Sequence, residues 1–117
     1  MSFLAKWEQW APVLERAIIA ERQSIDDVRE LVESGQAQFW YDITAAVVTE
    51  ILQFPRKRVL HCWLAAGDYE GIRRIEARVI PWARQNGCDE MQIVGRMGWR
   101  RRLKDYTERA VVLTKEI

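Results

Sequence analysis

One stretch of the sequence gathers enough cationic side chains to do chemistry: Arg96, Arg100, Arg101, Arg102 and Lys104 fall within nine residues. Guanidinium groups fork onto phosphate and carboxylate oxygens and keep their charge when partly buried. The cluster suits a coenzyme phosphate, an acidic partner surface or nucleic acid. A solvated helix face neutralised by Asp105, Glu108 and the acidic first half of the chain has the same composition. The formal charge of the whole chain is only +1, which does not fit strong nonspecific binding to DNA.

His61 is the sole histidine and the one side chain whose ordinary pKa lets it act as a base near neutrality. Strand alternation puts it on a face with Val59 and Trp63, as a base or as a satisfied structural histidine. Glu50 alternates with apolar neighbours and reads equally as a base facing a cleft or as a solvated sheet-face carboxylate. Cys62 and Cys88 lack a CxxC spacing and read as buried reduced thiols, so neither a disulfide nor a metal site is expected. Trp40, Trp63, Trp82 and Trp99 resemble a stacking platform in type, yet each falls where the pattern predicts burial. Trp7 and Trp10 precede the first expected helix and either dock on a partner or a second copy, or cover the site of a first strand that the chain lacks.

The elements that must position these groups follow from period and punctuation. Pro12 fits the first position of a helix with Val13, Ala17, Ile18 and Ala20 inward, ending near Arg22; residues 1–11 read as irregular. Ser24 with Asp27 starts a second helix carrying Ile25, Val28, Leu31 and Val32, closed by Gly35. An aromatic patch at Phe39 to Tyr41, a β-branched run from Ala45 to Phe54 and the run Val59 to Leu64 predict a three-strand antiparallel meander. Asp68 caps a long helix with Ile72, Ile75, Val79, Trp82 and Ala83 on one face, and Pro81 is expected to kink it. Met91 to Val94 returns as a strand parallel to Val59 to Leu64. Trp99 to Leu103 makes a short helix, and Arg109 to Thr114 a final β-rich segment.

Several local phrases carry a resemblance: Ser24 to Val28, Gly35 to Trp40, Val48 to Ile51, Phe54 with Pro55, Trp63 to Gly67, Trp82 and Ala83 with Gly87 and Cys88, and Gly95 to Trp99. Together with the element order, they resemble short phage and prophage proteins of the GNAT (N-acetyltransferase) fold. The resemblance covers residues 12–117 and brings no established activity. It implies an α/β (α+β) domain with two N-terminal helices and a mixed sheet of about five strands, with a long crossover helix after the third.

In GNAT enzymes the loop after the fourth strand holds the coenzyme A pyrophosphate on backbone amides at the head of the long helix. The matching segment here is Ala65-Ala-Gly-Asp-Tyr-Glu-Gly71. The resemblance therefore implies Ala66, Gly67 and Gly71 as cofactor contacts, with Arg73, Arg74 or the cluster Arg100 to Arg102 as replacements for lost ones. The glycine spacing departs from the family phrase, and Asp68 and Glu70 oppose a pyrophosphate. Where the family places an Asn and a general-acid Tyr, this chain has Gly95-Arg96 and Trp99 to Leu103, leaving Tyr106 just beyond as the candidate acid.

These departures favour a noncatalytic module acting on a phage or host protein, in virion assembly or in the host cytoplasm, with no cofactor. The alternative is an N-acyltransferase binding acetyl-CoA between the parallel strands, and a third reading is a host-protein or nucleic-acid-binding antagonist. A homo-oligomer is compatible with all three. With 117 residues, 49% hydrophobic and 30% charged, one globular domain is expected. No apolar run reaches the roughly 20 residues that span a bilayer, and the first residues lack a signal-peptide layout, so a cytosolic location without membrane contact is expected. Charge is uneven: residues 1–54 sum to −5 and 55–117 to +6, so any anion-binding surface belongs to the second half.

Overall fold

In the computed structural model, residues 3–19, 21–95 and 97–117 are described. The apolar run after Thr44 forms the central hairpin: β2 (Ala45–Gln53) turns at Pro55, where the Phe54 amide donates to the Lys57 carbonyl at 2.8 Å, and returns as β3 (Arg58–Gly67). β1 (Gln38–Tyr41) lies antiparallel on the other side of β2. A helical crossover, α3 (Tyr69–Gln85), brings β4 (Glu90–Ile93) parallel to β3, from Val59 opposite Glu90 to Cys62 opposite Ile93. The sheet order is β1-β2-β3-β4.

Alternation along the strands loads both faces. Ala45, Val47, Leu60 and Cys62 meet Ile72, Ile75, Val79 and Ala83 of α3. Ala46, Val48, Leu64 and Ala66 meet Trp7, Trp10 and Leu14 of α1 (Phe3–Leu14) and Val28 of α2 (Ile25–Glu33). The pattern is interrupted once. Val48 faces Leu64 but Thr49 faces Cys62, so Trp63 is the extra residue of a β-bulge.

The helix starts agree with the sequence reading. Ser24 Oγ accepts from the Asp27 amide at 3.2 Å while Asp27 Oδ2 accepts from the Ser24 amide at 2.8 Å, which satisfies two donors at the head of α2. Asp68 caps α3, and that helix runs through Pro81 to Gln85.

Four expectations are corrected. Residues 3–11 are helical, because Trp7, Trp10 and Leu14 form an i, i+3, i+7 stripe against the sheet; Pro12 sits in the last turn of α1, not at its first position. The helix also stops short of Arg22. A 3-10 turn at Glu15–Ala17 ends in extended backbone at Ile18, and Ala20 lies outside the described residues. The sheet has four strands rather than about five: Val111, Val112 and Leu113 are exposed, and β propensity without a partner strand makes no ladder. The platform tryptophans Trp40, Trp63, Trp82 and Trp99 are only half-buried, packing on the rims of the two cores. Their size leaves an edge in solvent where a smaller residue would be covered.

Trp7 and Trp10 are themselves core residues. Trp7 meets Phe39 edge-on at 5.1 Å between ring centres, while the Trp10 indole N–H is buried without an acceptor among the described residues. Among the described residues no helix is long and apolar enough to cross a membrane.

Candidate functional site where two parallel strands part

β4 leaves β3 at the bulge. The last backbone link is the Val94 amide donating to the Cys62 carbonyl at 3.0 Å, after which the chain turns at Gly95 into α4 (Met97–Arg102). β3 continues from Trp63 to Gly67 with β2 on one side and, among the described residues, no paired strand on the other. A bulge bends and twists its strand, so the divergence is built into the backbone at Trp63. Trp99 of α4 stands against the turn at the mouth of this wedge: a Cβ added at Gly95 would lie 3.0 Å from its ring.

Beside this wedge, three polar side chains stand in a row across β2, β3 and β4. Glu50 is the cross-strand partner of His61, and His61 is the partner of Gln92. The Gln92 amide nitrogen lies 2.9 Å from His61 Nδ1, and the imidazole stacks on Trp63 with ring centres 6.4 Å apart and 9° between planes. Partial burial lowers the His61 pKa, an effect that the Glu50 charge only partly offsets, so the ring is neutral at pH 7. With Nδ1 accepting from Gln92, the ring carries its proton on Nε2 as a donor. The row thus offers a carboxylate acceptor and an imidazole donor side by side.

The head of α3 is arranged differently. The Asp68 carboxylate accepts the Gly71 amide at 2.8 Å and the Thr44 hydroxyl at 2.7 Å, and these bonds hold its pKa below the usual carboxylate range. Gly67 has φ +111°, and a Cβ there would lie 2.2 Å from the Thr44 carbonyl oxygen. A Cβ at Gly71 would lie 2.5 Å from Thr44 Oγ1 and 2.7 Å from the Ala45 Cβ. Both glycines let the loop press against the start of β2. Ala66 is buried on the α1 and α2 side.

Arg73 and Arg74, the first two of the four arginines of this helix, are engaged. Arg74 forks onto Asp42, with Nε at 3.1 Å from both carboxylate oxygens and Nη2 at 2.8 Å from Oδ1, and also reaches Thr44 Oγ1 at 2.9 Å. Arg73 donates to Glu76 at 2.7 Å, to the Tyr69 hydroxyl at 3.0 Å and to both oxygens of Asp105. The Tyr106 hydroxyl donates to Glu76, and burial together with that carboxylate pushes its pKa far up. Tyr106 therefore sits with the α3 cluster as a neutral phenol, apart from Glu50 and His61.

The basic segment is spread out. Arg100 pairs with Glu108 at 3.0 Å, and Arg102 lies over the Tyr69 ring at 4.3 Å and 4.0 Å from Glu70. Arg101 and Lys104 are exposed without a side-chain partner among the described residues, and Arg96 lies outside those residues. The Cys62 thiol is buried with its pKa pushed up to about 12, which removes it as a nucleophile. No group of three metal-ligating side chains occurs among the described residues. Two shallow hollows lie along α2, one lined by Phe3, Leu4, Arg29, Val32 and Glu33, and neither includes the wedge or the polar row.

Sequence reasoning named Glu50 and His61 separately and missed Gln92, Thr44 and the bulge. A lone Gln inside the apolar run Met91 to Val94 was the available signal for the first.

The chain matches no family model and no curated protein. Solved structures do share its fold. Glucosamine-6-phosphate N-acetyltransferase from Arabidopsis thaliana superposes with a TM-score of 0.69 at 11% identity, over 99% of this chain and 94% of that one. Ribosomal-protein-alanine N-acetyltransferase from Brucella melitensis biovar Abortus gives 0.62 at 14% identity, over 97% and 93%. A transcriptional regulator from Bacillus halodurans gives 0.65 at 9% identity, over 99% and 96%. At such identities the likeness is one of fold, and the fold is GNAT-like: α+β, a mixed four-strand sheet and a long helix after the third strand.

Proposed function

We propose that the chain is a small N-acyltransferase that takes an acyl thioester in the wedge between β3 and β4. The observation that carries this reading is the position of the divergence, directly beside the Glu50, His61 and Gln92 row. Acetyl transfer to an amine is what two of the three structures above are named for, which supports the same direction.

A bound acyl thioester supplies an activated carbonyl carbon and a thiol leaving group of ordinary pKa, about 8.5. The free edge of Trp63 to Gly67 can pair with the amides of a thioester arm as it would with another strand. Glu50 accepts the proton from the incoming amine, and the His61 Nε2–H donates toward the carbonyl oxygen. Tyr106 takes no part, and solvent protonates the departing thiolate, which at pH 8 needs no strong acid. The fit to acetyl-CoA is partial: the wedge suits its thioester arm, whereas the α3 head offers its phosphates a carboxylate.

The test is acylation of a panel of primary amines with acetyl-CoA, followed by mass spectrometry. Glu50→Gln is expected to slow the reaction about a hundredfold or more. An unchanged rate in that variant, or no acylated product with any amine, would refute the proposal.

A second reading is the noncatalytic phage module acting on a phage or host protein in the host cytoplasm or virion. The Asp68-filled helix head and the unpaired Arg101 and Lys104 favour it. Its mark is copurification with a partner protein that survives Glu50→Gln and is lost on Arg101→Ala with Lys104→Ala.

A further inference from the structure

The thioester reading leaves open which part of the donor the chain recognises, and the groups around the wedge answer this. We infer that the donor site reads only the amide-bearing thioester arm, so that its substrate class is acyl-pantetheine and simpler acyl-cysteamine thioesters, with the nucleotide half of a coenzyme making no productive contact. This inference rests on the thioester reading proposed above.

A phosphate beside the wedge would need free helix-head amides or free guanidinium forks. The Gly71 amide is bonded to Asp68, whose negative charge sits where an anion would approach, and Glu70 adds a second carboxylate in the first turn. Asp68 is also held by Thr44, which in turn accepts from Arg74. Swinging it away would break a chain of bonds running from Asp42 to Gly71. Arg74 is forked on Asp42, and Arg73 on Asp105 and Glu76. The Cβ side of both loop glycines is pressed on Thr44 and Ala45, and Gly71 is buried, so the backbone at Gly71 is closed to a ligand. The chain has in effect placed its own carboxylate in the anion seat. What stays open is the backbone edge of Trp63 to Gly67, which matches amides and not phosphates.

The test compares acetyl-CoA, S-acetyl-pantetheine and S-acetyl-N-acetylcysteamine by calorimetry and by steady-state rate. Acetyl-CoA and S-acetyl-pantetheine are expected to agree within about threefold in Kd and kcat/KM, with little change between low and high salt, because no screened phosphate contact contributes. A preference of thirtyfold or more for acetyl-CoA would overturn the inference while leaving the thioester reading intact; failure of all three to bind would overturn the reading itself. Asp68→Asn keeps an acceptor for Gly71 and Thr44 but removes the charge. It is expected to strengthen acetyl-CoA binding about two- to fivefold and leave S-acetyl-pantetheine unchanged. Arg101→Ala with Lys104→Ala is expected to leave acetyl-CoA binding unchanged, and a tenfold loss there would show that the exposed cations hold the phosphates after all.

Discussion

At its start β3 is held on both sides, by Leu52 and Ile51 of β2 and by Glu90 and Met91 of β4, whereas past Trp63 it is paired, among the described residues, with β2 alone. One inserted residue separates the two regimes. The paired half presents titratable side chains at fixed register, and the unpaired half presents backbone. A similar contrast recurs at the end of β3, where the wedge is left open but the adjoining helix head is filled by Asp68, Thr44 and Arg74. The lesson is that a strand edge and an anion seat, although neighbours in this fold, are set by different residues and can be lost separately.

The comparison is broken most severely at its closed side. Gly67→Ala is expected to destabilise the fold by roughly 3 kcal/mol or more, since it combines a positive φ with overpacking on Thr44. Urea denaturation measures this, and a loss under about 1 kcal/mol would mean that the loop is not pressed on β2 as described. At the open side, Glu50→Gln is expected to leave the urea midpoint nearly unchanged while acylation falls about a hundredfold. Equal losses of stability and rate would make Glu50 a structural residue.

Acid titration sharpens the contrast more gently. The folded pKa of Asp68 is depressed by Thr44 and Gly71, and that of Asp42 by Arg74. Their stabilisation is therefore full above the unfolded carboxylate pKa, about 3.9, and fades as pH falls through the lower folded values. His61 has the same sign: it is depressed by burial, so its contribution is full above about 6.5 and fades as pH falls through the folded pKa. Thermal midpoints should thus fall in two stages on acidification, the first absent in His61→Gln and the second reduced in Asp68→Asn. The smallest effect is expected at Trp10→Phe, within about 1 kcal/mol, because the lost ring volume is partly offset by removal of a buried N–H that has no acceptor.

Much of the fold was legible because its signals are local. Ser24 with Asp27, Asp68 before a helical apolar stripe, and Pro55 between two β-branched runs each mark an element by chemistry within a few residues. Pro12 misled, since it sits near the end of α1 and forgoes one backbone bond there, just before the 3-10 turn that closes the helix; the Trp7, Trp10 and Leu14 stripe carried the true helix. Val111 to Leu113 misled in the opposite way, because strand formation depends on a partner that propensity does not supply. The site was legible only as fragments. Glu50, His61 and Gln92 come together through the register of three strands, and the bulge at Trp63 exists only in the pairing of Val48 and Thr49 with β3.

Amide hydrogen exchange, read residue by residue with and without saturating S-acetyl-pantetheine, separates a ligand paired along β3 from one seated on the head of α3. Slowed exchange is expected at amides within Trp63 to Gly67, where β3 has no further strand among the described residues, and no change at Tyr69 to Gly71, where Asp68 already takes the Gly71 amide. Unchanged exchange along Trp63 to Gly67, or protection confined to Tyr69 to Gly71, would contradict it.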